Sequence, residues 1–203
     1  KAAAQIGHEG IVVVRDFGSD DGTHFIIMEF IDGVDLAQVI RRDGPLPLAR
    51  CLVIASRVAQ ALAAAHDHGI IDRDLKPANI LLTRIGGLDD FAKVLDFGIS
   101  KITEIVDTSS TPLTATGTVV GTPRNMAPEQ AIGALRIDGR ADIYALGIIL
   151  YEMATRDVPF AGSTPYETLH LKASFEPRAP SEVNPAIGLP HEFDALMARA
   201  LER

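Results

Sequence analysis

The sequence predicts an α+β fold in two unequal parts, a small β-rich remnant over residues 1–31 and a mostly helical body over residues 32–203. Three observations predict it. Two runs rich in β-branched and aromatic residues, Ile11 to Gly18 and Thr23 to Phe30, flank the polar turn Ser19-Asp20-Asp21-Gly22. Several later stretches space their apolar residues as helices do. With 47% hydrophobic and 23% charged residues, 203 residues carry enough apolar material for one core.

Taken in order, the two strands form a hairpin, and a two-stranded hairpin is marginal in water with edge amides that invite pairing. This part is expected to be poorly ordered by itself and the chain to aggregate readily. From Pro47 to His68 the positions Leu48, Leu52, Ala55, Ala59, Leu62 and Ala65 follow helical spacing, and Gly69 ends the helix. His66 and His68 lie on different faces of it with no further ligand at metal-binding spacing, so both read as structural or solvated histidines. Ile80-Leu81-Leu82 and Lys93-Val94-Leu95 read as short strands joined through the Gly86-Gly87 turn. Between Thr103 and Thr118 the chain is rich in Thr and Ser with little apolar patterning. Arg140 to Thr155 is apolar nearly all round, as a helix buried in a helical body is. Pro159 and Pro165 bracket a loop before a helix from Tyr166 to Ser174, and the proline-bearing stretch from Pro177 to Pro190 is a connecting loop. A last helix begins near Leu189 and places Phe193, Leu196, Met197, Ala200 and Leu201 on one core-facing stripe.

Charge excludes one class of partner. A net charge of −8 with a pI near 5.2 is unsuited to a phosphate backbone, and Arg41-Arg42 alone makes no basic patch, so no nucleic acid is expected. Cys51 is the single cysteine, which rules out an intrachain disulfide framework and fits a small core residue in a reducing compartment. No uninterrupted apolar run reaches the roughly 18 residues of a spanning helix, and no signal-peptide pattern opens the chain.

The chemistry concentrates in Asp72-Arg73-Asp74-Leu75-Lys76-Pro77-Ala78-Asn79, followed by Asp96-Phe97-Gly98. Transfer of a phosphoryl group from a metal-bound nucleotide offers little covalent work. It demands neutralisation of spreading negative charge and a carboxylate to accept a hydroxyl proton. Asp74 is placed to be that acceptor, Lys76 to touch the moving phosphoryl group, and Asn79 to offer a neutral oxygen to magnesium. Asp96 supplies the charged ligand. Magnesium takes hard oxygens and few protein ligands, so one amide and one carboxylate suffice. Either motif alone occurs by chance in polar loops; the two together, joined by a hairpin that would bring Asn79 and Asp96 to one place, are specific.

These residues resemble the eukaryotic-like protein kinase superfamily, and within it the bacterial serine/threonine kinases. Gly121-Thr122-Pro123-Arg124-Asn125-Met126-Ala127-Pro128-Glu129 is similar to the substrate-binding loop and Ala-Pro-Glu motif of that family, and Asp138 to Gly147 to the start of its central helix. The resemblance implies a protein kinase-like fold that uses ATP and Mg2+ to phosphorylate Ser and Thr hydroxyls of protein substrates. It further implies that the residue at Asp142 anchors the catalytic loop, and that Lys76 and Thr122 belong to the serine/threonine branch. Phe25 to Gly33 resembles the strand and hinge that hold adenine, making Met28 the gatekeeper, Glu29 and Ile31 backbone partners of the base, Asp35 a ribose ligand and Leu81 the apolar floor. Thr114 and Thr116 match activation-segment positions that bacterial relatives autophosphorylate, with Thr118 a third candidate, and a kinase dimer would serve that step. Phosphate added there would pair with cations such as Arg73. The catalytic domain is expected to be cytoplasmic, with a parent protein anchored to a membrane through segments outside this chain.

The pattern of that family is not complete. The sequence contains no Gly-rich GxGxxG loop and no Val-Ala-Ile-Lys strand, the helix-C glutamate would precede Lys1, and both ends read as cut. The isolated 203 residues are therefore expected to be inactive. Asp72 stands where the family usually has histidine, and a carboxylate there needs a hydrogen-bonding partner or a raised pKa. Asn125 replaces a usual aromatic residue. These two departures motivate an alternative, a pseudokinase that acts as a regulatory binding module. A small-molecule phosphotransferase of the aminoglycoside or choline kinase type shares the Asp-x-x-x-x-Asn loop, but the Gly-Thr-Pro and Ala-Pro-Glu segment speaks against it.

Overall fold

A computed structural model describes residues 6–21, 23–95, 97, 124–134 and 136–202. Within them the fold is α+β, with small antiparallel sheets ahead of and beside a helical body. Strands β1 (Val14–Asp20) and β2 (Thr23–Met28) form a two-stranded hairpin, as anticipated, with an irregularity between Val14 and Asp16. The residues ahead of β1 run elsewhere. Ile11 bridges Val94 in parallel, Val12 N–H donates to Val94 O (3.0 Å) and Val94 N–H to Gly10 O (2.8 Å). The hairpin therefore starts from a segment already pinned to the body.

A second sheet has the order β3 (Gly33–Asp35), β4 (Ile80–Ile85), β5 (Leu88–Val94), all antiparallel. The β4–β5 hairpin turns at Gly86 and Gly87, both at positive φ, where the sequence places it. Strand β3 and the helix after it, α1 (Leu36–Asp43), lie in a stretch for which no helix was anticipated. The signal was present: Leu36, Val39 and Ile40 at helical spacing are the buried face, Asp35 is the N-cap, and Gly44 at φ 77° ends the helix.

Helix α2 (Leu48–Asp67) stops before Gly69, at φ 69°. Its buried face corrects the expected stripe. Cys51, Ile54, Ala55, Val58, Ala61, Leu62 and Ala65 are the residues turned inward, whereas Leu52 is 41% exposed. By length and composition α2 is also apolar enough to cross a bilayer, contrary to the expectation that nothing in the chain is. Its arginines carry structural tasks instead. Arg50 pairs with Asp90 (2.7 Å) and Asp43 (3.2 Å), and the Arg57 guanidinium sits 4.5 Å from the Phe91 ring centre. The helix packs on α4 and β5 as a core element.

Downstream come α3 (Pro128–Ala131), α4 (Arg140–Thr155), α5 (Pro165–Ser174), α6 (Pro180–Val183) and α7 (His191–Ala200). Helix α6 and a 3-10 turn at Pro185–Ile187 lie inside the stretch expected to be plain loop. Helix α4 is buried nearly all round apart from its first turn, where Ile143 is 43% exposed, and Ile148, Ile149, Met153 and Ala154 are fully enclosed. Each such large apolar side chain contributes about 1.5–3 kcal/mol on burial. Gly147 is required where α4 meets α7, because a Cβ there would approach Ala200 and Leu201 to 3.0 Å. On α7, Phe193 and Met197 are buried and followed by buried Leu201, but Leu196 is 45% exposed and leaves the expected stripe.

Candidate active site

The loop from Ile70 to the 3-10 turn Pro77–Asn79 lies between α2 and β4, and its shape is imposed by α4. Asp142, in the first turn of α4 and fully buried, accepts hydrogen bonds from Asp72 N–H (3.0 Å) and Arg73 N–H (2.9 Å). The same carboxylate accepts from His66 Nε2 at 2.8 Å. Gly139 is glycine for that reason: a Cβ would come within 2.6 Å of the imidazole. The anchoring role implied for Asp142 is thus seen in the geometry, and His66 proves to be its partner. His68 is exposed and donates to Ala64 O (2.8 Å).

Arg73 adopts φ 68°, a left-handed conformation uncommon for a residue with a Cβ. Asp74 follows, with its side chain 53% exposed, paired with Lys76 Nζ at 2.5 Å. Asp74 N–H donates to Asp72 Oδ1 (3.1 Å), so buried Asp72 has the hydrogen-bonding partner that a carboxylate at its position requires. Asn79 is buried at 8% exposure, and its Nδ2 donates to Asp74 O (3.3 Å). Because the amide nitrogen is spent on that carbonyl, Oδ1 is the atom left for a cation. Leu95 N–H donates to Asn79 O (2.8 Å), which joins the residue before Asp96 to Asn79. Phe97 is buried in the main core.

The hinge segment lies beside this loop through β3. Asp35 pairs in register with Leu81, two residues beyond Asn79. Met28 ends β2 opposite Val14, and Met28, Ile31 and Leu81 are half-buried. Glu29 N–H is spent on Val13 O (2.9 Å). Among the described residues no hydrogen bond engages the Glu29 carbonyl or the Ile31 backbone, which leaves those groups for a planar base. Asp35 spends its carboxylate on the cap of α1, accepting from Gln38 N–H (2.9 Å) and Gln38 Nε2.

The Glu29 side chain does something the sequence did not suggest. It accepts from Val13 N–H (3.0 Å) and from Lys93 Nζ (2.6 Å), and Lys93 is only 8% exposed. Burial alone would raise the Glu29 pKa. The Lys93 hydrogen bond, the Val13 amide and the charges of Lys93 and Arg15 outweigh that and leave the carboxyl below its usual range.

Ala127-Pro128-Glu129 opens α3, and Gln130 ties this turn to the catalytic loop. Its Oε1 accepts from Ala127 N–H (2.9 Å) and its Nε2 donates to Arg73 O (2.9 Å). Lys172 of α5, 1% exposed, donates to Arg124 O (2.8 Å) and Met126 O (2.7 Å), with its ammonium group 5.3 Å from the Tyr144 ring centre. Burial pushes its pKa down to about 7. Glu152 lies 3.6 Å from Arg124; burial raises its pKa, with Arg124 opposing and Asp157 reinforcing the shift. Asn125 is buried, and its Nδ2 finds no partner among the described residues.

The structure therefore brings Asp74, Lys76 and Asn79 together in one loop, with Leu81 two residues beyond Asn79 and Glu29 bonded to Lys93, the register partner of Leu81. Asp96, Thr122, Thr114, Thr116 and Thr118 lie outside the described residues. Sequence reasoning passed over Gln130, Lys172, the Glu29–Lys93 pair and the Asp142 partner of His66. Among the described residues no cluster of three His, Cys, Asp or Glu side chains gathers as a metal-binding set. The donor chemistry at Asn79 fits magnesium, which needs one or two protein oxygens and takes phosphates and water for the rest. Cys51, with its thiol pKa pushed by burial to about 11 and Sγ 3.5 Å from Leu46 O, is a core residue as anticipated.

Comparison with known proteins bears on the same residues. The model of the protein kinase domain matches residues 1–202. The serine/threonine-protein kinase pkn3 of Myxococcus xanthus is 42% identical over 206 residues, covering 100% of this chain and 37% of the relative. Pkn1 of the same organism is 42% identical over 200 residues, covering 98% and 28% respectively. The serine/threonine-protein kinase PknB of Mycobacterium leprae (strain TN) is 37% identical over 205 residues, covering 99% and 31%. The chain thus spans about a third of the length of these relatives.

Proposed function

The chain belongs to the protein kinase domain family, and on that premise we propose that its parent protein transfers the γ-phosphoryl group of ATP to Ser and Thr hydroxyls of proteins. The observation that carries this reading is the convergence of Asp74 and Asn79 in one loop anchored by buried Asp142, with Leu95, the residue before Asp96, bonded to Asn79. Asp74 orients the substrate hydroxyl and takes its proton as the oxygen bonds to phosphorus and the bond to the ADP oxygen breaks. Lys76, already beside Asp74, stabilises the charge on the phosphoryl group in flight. Magnesium, held by Asn79 and Asp96, supplies neutralisation of the phosphate charge when bound. The free hinge groups of Glu29 and Ile31 take the adenine, with Met28 and Leu81 as apolar walls.

Asp72 was one motive for the pseudokinase alternative, and its hydrogen bond to the Asp74 amide shows how a carboxylate is accommodated there. Residues 1–203 alone are expected to transfer negligibly, since the chemistry also calls for a phosphate-covering loop and a strand lysine. Thr114 and Thr116 remain the proposed autophosphorylation positions, served by a kinase dimer. In the full-length protein, Asp74→Asn is expected to lower turnover by about 10² to 10⁴, the range for losing a general base. Transfer of radiolabelled γ-phosphate at an unchanged rate would remove Asp74 from that role.

A further inference from the structure

The peptide unit joining Arg73 to Asp74 is held at both of its polar ends. Its N–H, that of Asp74, donates to Asp72 Oδ1 at 3.1 Å. Its carbonyl, that of Arg73, accepts from Gln130 Nε2 at 2.9 Å. The residue before it sits at φ 68°, a conformation that costs about 1 kcal/mol or more for a non-glycine residue and persists only where the surroundings over-determine it. Asp142 grips the amide side of Arg73 and Gln130 the carbonyl side. Two side chains far apart in sequence thus fix the one strained residue that sets the direction of the Asp74 backbone.

From this geometry we propose that Gln130 is a positioning residue for Asp74, coupling the seating of the Ala127-Pro128-Glu129 turn to the orientation of the proton acceptor. The residue type carries the argument. Gln130 accepts from Ala127 N–H and donates to Arg73 O with the two ends of one amide. A carboxylate of the same shape would only accept, and would face the Arg73 carbonyl with an oxygen; a thioether would satisfy neither group. The turn is in turn fixed from the other side, because Lys172 holds the carbonyls of Arg124 and Met126 just before it. Among the described residues, a displacement of that segment therefore reaches Asp74 through Gln130.

This inference rests on the phosphotransfer reading for its kinetic consequence but not for its geometric one, and the test uses both. In the full-length protein, Gln130→Glu is expected to lower kcat about tenfold, the worth of one hydrogen bond to a strained carbonyl, with the KM for ATP and the unfolding midpoint little changed. Placed in an Arg73→Asn background, where the left-handed conformation is less costly, the same substitution should cost less than about threefold. Hydrogen exchange at the Asp74 amide should quicken in Gln130→Glu whether or not the protein transfers phosphate. Wild-type protein that transfers nothing while the Asp74 amide responds would sink the phosphotransfer reading and leave the clamp standing. An Asp74 amide indifferent to Gln130→Glu, or a kcat loss of the same size in both backgrounds, would overturn the clamp.

Discussion

Helix α4 and the β1–β2 hairpin are built on opposite terms. Helix α4 is buried around its circumference beyond its first turn and carries Asp142, fully buried, into the interior. The hairpin is wet on both faces, with Phe17 53% exposed, Phe25 44% and Ile27 46%. A helix enclosed in this way places a carboxylate with the accuracy that chemistry needs, because every neighbour resists its displacement. A hairpin without a core of its own is placed only by its attachments, here the Val12–Val94 backbone pairing and the Glu29–Lys93 contact. The catalytic loop hangs from the first region and the hinge from the second. Precision at Asp74 and adaptability at the proposed base-binding edge follow from where each is mounted.

The sharpest way to break this contrast is to cut the catalytic loop from α4. Asp142→Ala leaves the buried amide of Asp72 and the part-buried Arg73 amide and His66 ring without their acceptor. With each orphaned buried donor costing about 1–3 kcal/mol, a loss of about 4 kcal/mol is expected in urea unfolding of the full-length protein. A loss below about 1 kcal/mol would mean that water replaces the carboxylate and that the loop is not hung from α4.

Much of the helical region was legible in advance because its signals are local. Arg140–Thr155 shows its burial in composition alone, and the proposed proton acceptor and its neighbours stand close together between Asp74 and Asn79. Helix α1 was not anticipated although Asp35 caps it and Leu36, Val39 and Ile40 line its inner face, because its 8 residues make only about two turns of periodicity. The contacts between distant segments were not legible. Nothing local in Gln130 announces Arg73, 57 positions away, and nothing in Lys93 announces Glu29, 64 positions away. His66 reads as structural or solvated from its helix face, but the carboxylate that holds it lies 76 positions downstream and nothing local announces it. The face of α2 was misjudged because its many alanines fit more than one stripe, and only packing on α4 and β5 selects one.

Core truncations measure the contrast directly. Ile149→Ala, at a fully buried site on α4, is expected to cost about 3 kcal/mol through lost burial and the cavity left behind. Phe25→Ala on the hairpin should change stability by no more than about 0.5 kcal/mol, as exposed substitutions do. Equal costs in denaturant titrations would show that a further surface covers the hairpin in the full-length protein.

The most local effect is expected at the ion pair that holds the hairpin. Glu29 has its carboxyl held below the usual range by Lys93, the Val13 amide and nearby positive charge, against the opposing pull of burial. A carboxyl depressed in the folded state stabilises that state at pH values above its unfolded pKa, near 4.3, and loses the contribution as pH falls through the lower folded value. The hairpin should therefore loosen on acidification below about pH 4. Lys93→Met removes the partner at any pH, and amides of β2 should exchange roughly fivefold faster at neutral pH, about 1 kcal/mol of local opening. In that variant the acid response of β2 should also shrink. If β2 amides in wild type and Lys93→Met exchange alike at neutral pH and respond alike to acid, the ion pair does not hold the hairpin, and backbone pairing at Val12 and Val94 must carry the attachment alone.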